Sequence, residues 1–116
     1  MRAAEADRAR VLHMLDAIRQ LEASPGSASE KELDADPMLR FGTVKLIEIL
    51  GEAANMLTKE LRAAHPKVPW PLVIGMRHRL VHDYFRIDTA IVAEVVSIHM
   101  PALKSQLEAI LADLPE

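Results

Sequence analysis

A ten-residue stretch in the second half of the sequence concentrates residue types that can act on a phosphodiester. It runs from Arg77 to Arg86 and holds three arginines, two histidines, one tyrosine and a single acid. An arginine can grip a phosphate through its rigid fork of donors, and a histidine can move protons near neutral pH. Metal-free cleavage needs one group to take the ribose 2′-OH proton, one to protonate the leaving oxygen, and a fixed cation at the phosphorus. The stretch is therefore a candidate site for this chemistry.

Helical geometry sets how these side chains lie relative to one another. Arg77 and Tyr84 are seven residues apart, so on one helix they share a face about two turns apart. His82 follows Arg77 by five residues, which is about 140° around the helix axis. A straight helix therefore does not bring Arg77 and His82 to one side. Either the helix end unwinds near His82, or two copies of the segment converge across a two-fold axis and supply two histidines.

The same residues also allow less specific interpretations. A helix end rich in arginine and histidine is often a solvated face near a favourable dipole, and residue types alone do not decide between such a face and an active site. His78 and His82 have the spacing of zinc-binding histidines, but Arg79 stands where zinc motifs carry glutamate and would repel a cation, so we predict no metal site. Tyr84 could be a packed residue with its hydroxyl at the rim. The remaining histidines are isolated, and we interpret them as structural or surface residues: His13, His65 and His99.

Length and composition indicate one all-α domain. The chain has 116 residues, which fits a single domain spanning residues 1–116. Half of it is apolar and only 3% is aromatic, and an apolar mass of Leu, Ala, Ile, Val and Met favours helices over strands. The absence of cysteine excludes a disulfide framework, a thiol nucleophile and a thiolate metal site, and it is typical of a reducing cytosol.

The charge and the apolar pattern restrict the possible partners. The formal net charge is −3, so any contact with RNA must come from a local basic patch. The charged N-terminus, MRAAEADRAR, leads into an amphipathic stretch instead of a signal-peptide core, and no apolar run approaches transmembrane length. We expect a cytoplasmic protein without membrane contact.

Apolar periodicity and capping signals predict an up-and-down bundle of about five helices. The first spans about Arg2 to Glu22 and ends at a Ser-Pro-Gly-Ser break. Ser29 with Glu32 forms a capping box for a short helical turn.

Three longer helices follow in this prediction. The central one begins at Asp36-Pro37, an N-cap followed by proline, and runs to about Ala64. Gly51 within it favours close packing against a neighbouring helix. A fourth helix should run from near Trp70-Pro71 to about Tyr84. The fifth should run from Asp88 to about Leu114, with a kink at Pro101.

The first part of the fifth helix is apolar on more than one face. Either this helix is central or a second protomer covers part of it, and the small size of the domain favours a homodimer. The apolar residues concerned are Ile91, Val92, Val95, Val96, Ile98 and Met100.

The ten-residue stretch resembles the signature of the HEPN superfamily, an Arg followed after four to six residues by His. More closely, it resembles the HepT motif of Arg, four residues, His, any residue and Tyr, here Arg77, His82 and Tyr84. The Arg-to-His spacing alone is weak evidence for this family. Further segments, spread over nearly the whole chain, also resemble the family, and together with the motif they form a specific signature. These segments are the GEAAN stretch at 51–55, the connector at 65–70, the lead-in at 74–77 and the exit at 84–88.

The resemblance implies an all-α homodimer whose two motifs face a shared cleft. Such proteins are metal-independent RNase toxins of type VII toxin–antitoxin pairs and need no cofactor. Arg77 would stabilise the scissile phosphate and His82 would be the general base or acid. The antitoxin would be a cognate minimal nucleotidyltransferase that attaches AMP to Tyr84, placing negative charge in an arginine-lined cleft. Residues that would bind substrate or support the site are His78, Arg79 and Asp83.

One position departs from the family pattern, because the residue after the motif arginine is commonly Asn and here is His78. Two other functions remain open. The chain could be a non-catalytic helical partner that binds nucleotide for a nucleotidyltransferase, or a purely structural dimer, which would leave the polar motif unexplained. We predict an endoribonuclease with RNA as its substrate.

Overall fold

The described part of the chain is predominantly helical, as the sequence predicts. A computed structural model describes residues 2–83 and 86–115, and within these ranges the only β-pairing is one isolated bridge. A 3-10 turn, Pro25–Ala28, follows the first helix, and a π-helical turn, Val95–His99, joins the last two. The α-helices are α1 (Arg2–Glu22), α2 (Glu30–Ala35), α3 (Pro37–Asn55), α4 (Lys59–Ala64), α5 (Trp70–Ile74), α6 (Met76–Leu80), α7 (Thr89–Glu94) and α8 (Met100–Asp113). The all-α fold class is confirmed.

Side-chain caps fix three helix starts where the sequence predicts them. Ser29, Asp36 and Asp88 each accept a hydrogen bond from the backbone N–H three residues ahead, at 3.2, 3.1 and 3.1 Å. These bonds satisfy N–H groups that the first helical turn leaves without a partner. Helices α2, α3 and α7 therefore begin at positions set by local sequence.

The predicted central helix is wrong in its length. It ends at Asn55, and α4 begins only after Thr58, whose Oγ1 accepts a hydrogen bond from the N–H of Leu61 at 3.2 Å. The N–H and Oγ1 of Thr58 also donate to the two carboxylate oxygens of Asp7 in α1, at 2.9 and 2.6 Å. A contact with a residue 51 positions away thus stabilises the break, and the local sequence from Asp36 to Ala64 does not reveal it.

The predicted fourth helix also ends too late. Gly75 separates α5 from α6, and α6 ends at Leu80. Beyond it the chain turns back, because Val81 and Ile87 form an antiparallel bridge and the N–H of Asp88 donates to the carbonyl oxygen of Leu80 at 2.8 Å. The returning chain therefore takes the place of a further helical turn. The predicted end near Tyr84 lies outside the described residues.

The predicted fifth helix has an irregularity just before Pro101. It divides into α7, the π-helical turn and α8, and the N–H of Met100 donates to the carbonyl oxygen of Val95 five residues back. Such single π-helical turns occur inside α-helices. The segment begins after Asp88 as predicted, and α8 ends at Asp113.

The core lies mainly where α1 packs against α3 and α8. Gly51 of α3 faces α5, and a Cβ atom at this position would lie 3.1 Å from the carbonyl oxygen of Val73 and 3.2 Å from that of Ile74. The close packing predicted for Gly51 is therefore observed. The largest fully buried side chains are Met14, Leu15, Ile18, Leu21, Leu33, Ile47, Leu50, Leu80, Leu107, Ile110, Val11 and Val92.

Replacing the buried Asp7, which is 6% exposed, should destabilise the fold. Asp7→Ala leaves two donors of Thr58 without their partner, so we expect the free energy of unfolding to fall by about 2 kcal/mol in urea denaturation followed by circular dichroism. Asp16→Ala, on the same helix, is the matched control, because Asp16 accepts an exposed hydrogen bond from Gln20 and should cost under about 0.5 kcal/mol. Equal losses in the two variants would contradict the role given to Asp7.

Candidate active site

A cleft of about 400 Å³ opens between α3 and the α5–α6 segment. Two of the predicted site residues, Arg77 and His78, lie on its α6 side. The facing wall comes from the GEAAN stretch of α3, so two motifs that are distant in sequence meet here. The residues that line the cleft are Ile47, Glu48, Gly51, Glu52, Asn55, Ile74, Arg77 and His78.

The guanidinium of Arg77 is held by a carboxylate from the facing helix. Arg77 Nε lies 2.8 Å from Glu48 Oε2, while 48% of the Arg77 side chain remains exposed. Lys45 Nζ donates to the other oxygen of the same carboxylate at 3.1 Å. Glu48 thus joins two cations at the edge of the cleft.

The contacts of Glu48 with Lys45 and Arg77 also lower the pKa of its carboxyl group. The hydrogen bond from Lys45 holds the pKa of the Glu48 carboxyl below its usual value, the charge of Arg77 acts in the same direction, and partial burial opposes both. Glu48 is not among the site residues that the sequence predicts. The available signal was a carboxylate one helical turn before Gly51, on the face of α3 that carries Gly51, Glu52 and Asn55.

His82 lies on the turn that follows α6. Its N–H donates to the carbonyl oxygen of Arg86 at 2.9 Å, and 56% of its side chain is exposed. His82 Nε2 lies 3.9 Å from Asp88 Oδ2, a distance that is too long for a hydrogen bond. Of the two arrangements that the sequence allows, the unwinding of the helix before His82 is therefore observed.

Asp83 stabilises this turn. Its carboxylate accepts hydrogen bonds from the backbone N–H of Arg86 at 3.0 Å and from Arg86 Nε at 2.6 Å. The side chain is 31% exposed, so it neither points freely into solvent nor is deeply buried. Tyr84, the predicted modification site, lies outside the described residues.

The structure places the predicted residues in three different surroundings. Arg77 and His78 line the cleft, whereas His82 and Asp83 belong to the turn beyond α6. Arg79 lines a separate, mostly apolar depression between α5 and α8, together with Leu72, His99 and Leu103 among others. Within the part of the chain that the structure describes, no hydrogen bond or ion pair joins Arg77 to His82.

The histidine pair considered for zinc does not have the required helical geometry, because α6 ends at Leu80, between His78 and His82. Across residues 2–83 and 86–115, no group of three or more histidine, aspartate or glutamate side chains is arranged to hold a metal ion. In the same ranges, no helix combines the length and the apolar character needed to cross a lipid bilayer.

Comparison with known proteins places the chain in a family. A family model described as "Ribonuclease HepT-like" matches residues 14–110. The chain belongs to this family. The resemblance to HepT is confirmed, and so is the endoribonuclease prediction at the level of the family.

Three relatives agree with this assignment. A protein of Caldanaerobacter subterraneus subsp. tengcongensis named "Putative RNase" is 36% identical over 99 residues, covering 85% of this chain and 88% of that protein. "Probable ribonuclease HepT" of Thermococcus cleftensis is 28% identical over 93 residues, covering 80% and 84%. A "Putative RNase" of Methanocaldococcus jannaschii is 32% identical over 78 residues, covering 67% of each chain. No solved structure matches the chain.

Proposed function

We propose that the chain is a metal-independent endoribonuclease in which Arg77 binds the scissile phosphate and His82 transfers protons. The observation that carries the proposal is an exposed arginine in an open cleft, held at Nε by Glu48. An arginine has five N–H donors, so this contact leaves the four on its two terminal nitrogens for phosphate oxygens. Membership of a ribonuclease family supports RNA as the substrate.

The proposed reaction needs two proton transfers. A base takes the proton of a ribose 2′-OH, the 2′ oxygen bonds to phosphorus, and the 5′ oxygen of the next nucleotide leaves with a proton from an acid. Arg77 stabilises the negative charge on the phosphoryl oxygens. One copy of His82 can perform one of these transfers, and a second histidine is needed for the other within the same turnover.

The supporting residues receive separate roles. His78 lines the cleft beside Arg77, so it would donate to a phosphate or ribose oxygen where the family commonly has Asn. Asp83 would hold the turn that carries His82 through its bonds to Arg86. Arg79 lies outside the cleft, and it would contact the RNA strand away from the scissile bond.

A homodimer would supply the second histidine, and the exposed face of α3 is the surface best suited to it. Four of the large hydrophobic side chains exposed in the described chain lie along this face: Met38, Phe41, Ile49 and, just past its end, Met56, which are 84, 46, 38 and 61% exposed. This face is more continuous than the part of the fifth helix favoured by sequence, where Ile98 is 61% exposed while Val92 and Val95 are buried.

The order of residues on this face is self-complementary. If two copies of α3 pack antiparallel about a two-fold axis near residue 48, Phe41 meets Met56 of the second copy, and Lys45 meets Glu52. An isologous interface requires this reciprocal pairing of apolar with apolar and positive with negative residues. Because Glu52 also lines the cleft, the interface would bring the two clefts together.

We further propose that the enzyme is the toxin of a type VII toxin–antitoxin pair that acts in the cytoplasm. Its partner would be a minimal nucleotidyltransferase that attaches AMP to Tyr84. Two features support this proposal: the motif position of Tyr84, two residues after His82, and the arginine in the cleft, for which an added phosphodiester would compete with RNA.

The ribonuclease proposal predicts loss of activity in two variants. In EDTA, the purified protein should cleave single-stranded RNA, and Arg77→Ala and His82→Ala should each lower kcat/KM by at least about 100-fold, because each removes a group used in the transition state. Arg19→Ala, an exposed arginine at the end of α1, is the control and should stay near wild type. Unchanged cleavage in either motif variant, or tight nucleotide binding without cleavage, would favour the non-catalytic alternative.

The dimer proposal predicts which surface controls association. Ile49→Glu should raise the monomer–dimer Kd at least about tenfold in analytical ultracentrifugation, because a charge is buried without a partner. Leu12→Glu on α1 is the matched control, since Leu12 is 39% exposed and Ile49 is 38% exposed. Lys45→Glu should weaken the dimer, and adding Glu52→Lys should restore part of the affinity. If Ile49→Glu leaves the monomer–dimer Kd unchanged, the interface does not lie on the exposed face of α3.

The antitoxin proposal predicts a covalent change at one residue. After co-expression with a minimal nucleotidyltransferase, intact-mass measurement should show one or more added AMP units, about 329 Da each, and RNA cleavage should fall, because the phosphodiester of the adduct would compete with RNA phosphate for the site. Tyr84→Phe keeps the ring and removes the acceptor oxygen, so it should show no adduct. If Tyr84→Phe still shows the adducts, a residue other than Tyr84 carries the modification.

A further inference from the structure

We infer that Glu48 is a positioning residue for Arg77: its carboxylate orients the guanidinium toward the cleft and acts on RNA only through that arginine. The inference rests on the proposed ribonuclease function. It goes beyond the motif, because Glu48 stands on a different helix, 29 positions before Arg77.

The contact geometry suits orientation. Glu48 Oε2 lies 2.8 Å from Nε, the nitrogen nearest the aliphatic stem, so the planar group is held from its base while its terminal nitrogens remain for substrate. The other oxygen, Oε1, receives Lys45 Nζ at 3.1 Å, which restrains the carboxylate from a second side. A long side chain that would otherwise sample many rotamers is thereby restricted before substrate arrives.

The support behind Glu48 is rigid. Glu48 lies one helical turn before Gly51, where the backbones of α3 and α5 approach so closely that a Cβ would come within 3.2 Å of two carbonyl oxygens. The neighbouring Ile47 and Leu50 are fully buried. The carboxylate is therefore tied to the packed core, as a positioning group requires.

A carboxylate in this cleft also has a cost. Negative charge near a phosphate site repels RNA, and the positive charge of Lys45, 3.1 Å from Glu48, opposes this repulsion. The hydrogen bond from Lys45 lowers the pKa of Glu48, which favours the charged form of the carboxylate. Removing Glu48 should therefore act in opposite directions on two constants: kcat falls because Arg77 is less well oriented, and KM stays equal or falls because the repulsion is lost.

The test measures steady-state cleavage by wild type, Glu48→Ala and Glu48→Gln. We expect Glu48→Ala to lower kcat about tenfold or more without raising KM, since small misplacements of a catalytic group are costly. Glu48→Gln keeps an oxygen that can accept from Nε but cannot accept a proton in the reaction, so it should remain within about threefold of wild type. A loss in Glu48→Gln as large as in Glu48→Ala would overturn the inference and give Glu48 a direct part in proton transfer.

Two further comparisons separate the possible failures. Glu22→Ala is the control, because it removes an exposed ion pair with Lys104 at 3.0 Å on another part of the surface. In the Arg77→Ala background, Glu48→Ala should cause little further loss, since its effect passes through the arginine. A wild type that cleaves, with Glu48→Ala at the same kcat, overturns this inference alone. A wild type that does not cleave overturns the proposed function and this inference together.

A readout independent of cleavage completes the test. In an NMR spectrum the Nε–Hε group of Arg77 should give a resonance protected from exchange with water in the wild type, and Glu48→Ala should remove that protection. A resonance that is equally protected in both proteins would show that Glu48 does not hold Arg77.

Discussion

The close approach of α3 and α5 at Gly51 is the constraint on which the candidate site depends. A Cβ at this position would lie 3.1 and 3.2 Å from the carbonyl oxygens of Val73 and Ile74, so any larger residue would push the helices apart. Glu48 and Arg77 lie just beyond this contact and meet across the cleft at 2.8 Å. A backbone contact that takes no part in chemistry therefore sets the distance between the arginine and its carboxylate partner.

The two central residues of the motif have different kinds of support. Arg77 stands on a helix packed against the core and is fixed by a second helix. His82 stands on a turn that is closed by the Val81–Ile87 bridge and by the bonds between Asp83 and Arg86. A phosphate-binding cation benefits from a fixed position, whereas a proton-transfer group must come within hydrogen-bond reach of an oxygen of the bound RNA. This division is compatible with the proposed roles.

Local signals predicted local structure well, and tertiary contacts account for the rest. The caps at Ser29, Asp36 and Asp88 and the packing at Gly51 could be read from sequence, because each depends on neighbouring residues or on one residue's size. The end of α3 could not, because the Asp7 carboxylate that stabilises the new start at Thr58 comes from another helix. Glu48 was missed for the same reason, because its partner Arg77 is 29 positions away and the sequence does not show which helical carboxylate will face it.

The charge balance of the cleft bears on selectivity. Glu48 and Glu52 stand beside Arg77 and His78, in a chain whose formal net charge is −3. A strongly basic groove would hold any nucleic acid through many phosphate contacts. Here the attraction is concentrated in a few donors, and the surrounding carboxylates oppose phosphates that are not aligned with them. Under the proposed function, productive binding would depend on placing one phosphodiester against Arg77, a condition that would favour flexible single strands over a rigid duplex. Under the same proposal, a single added phosphodiester would be enough to occupy these few donors.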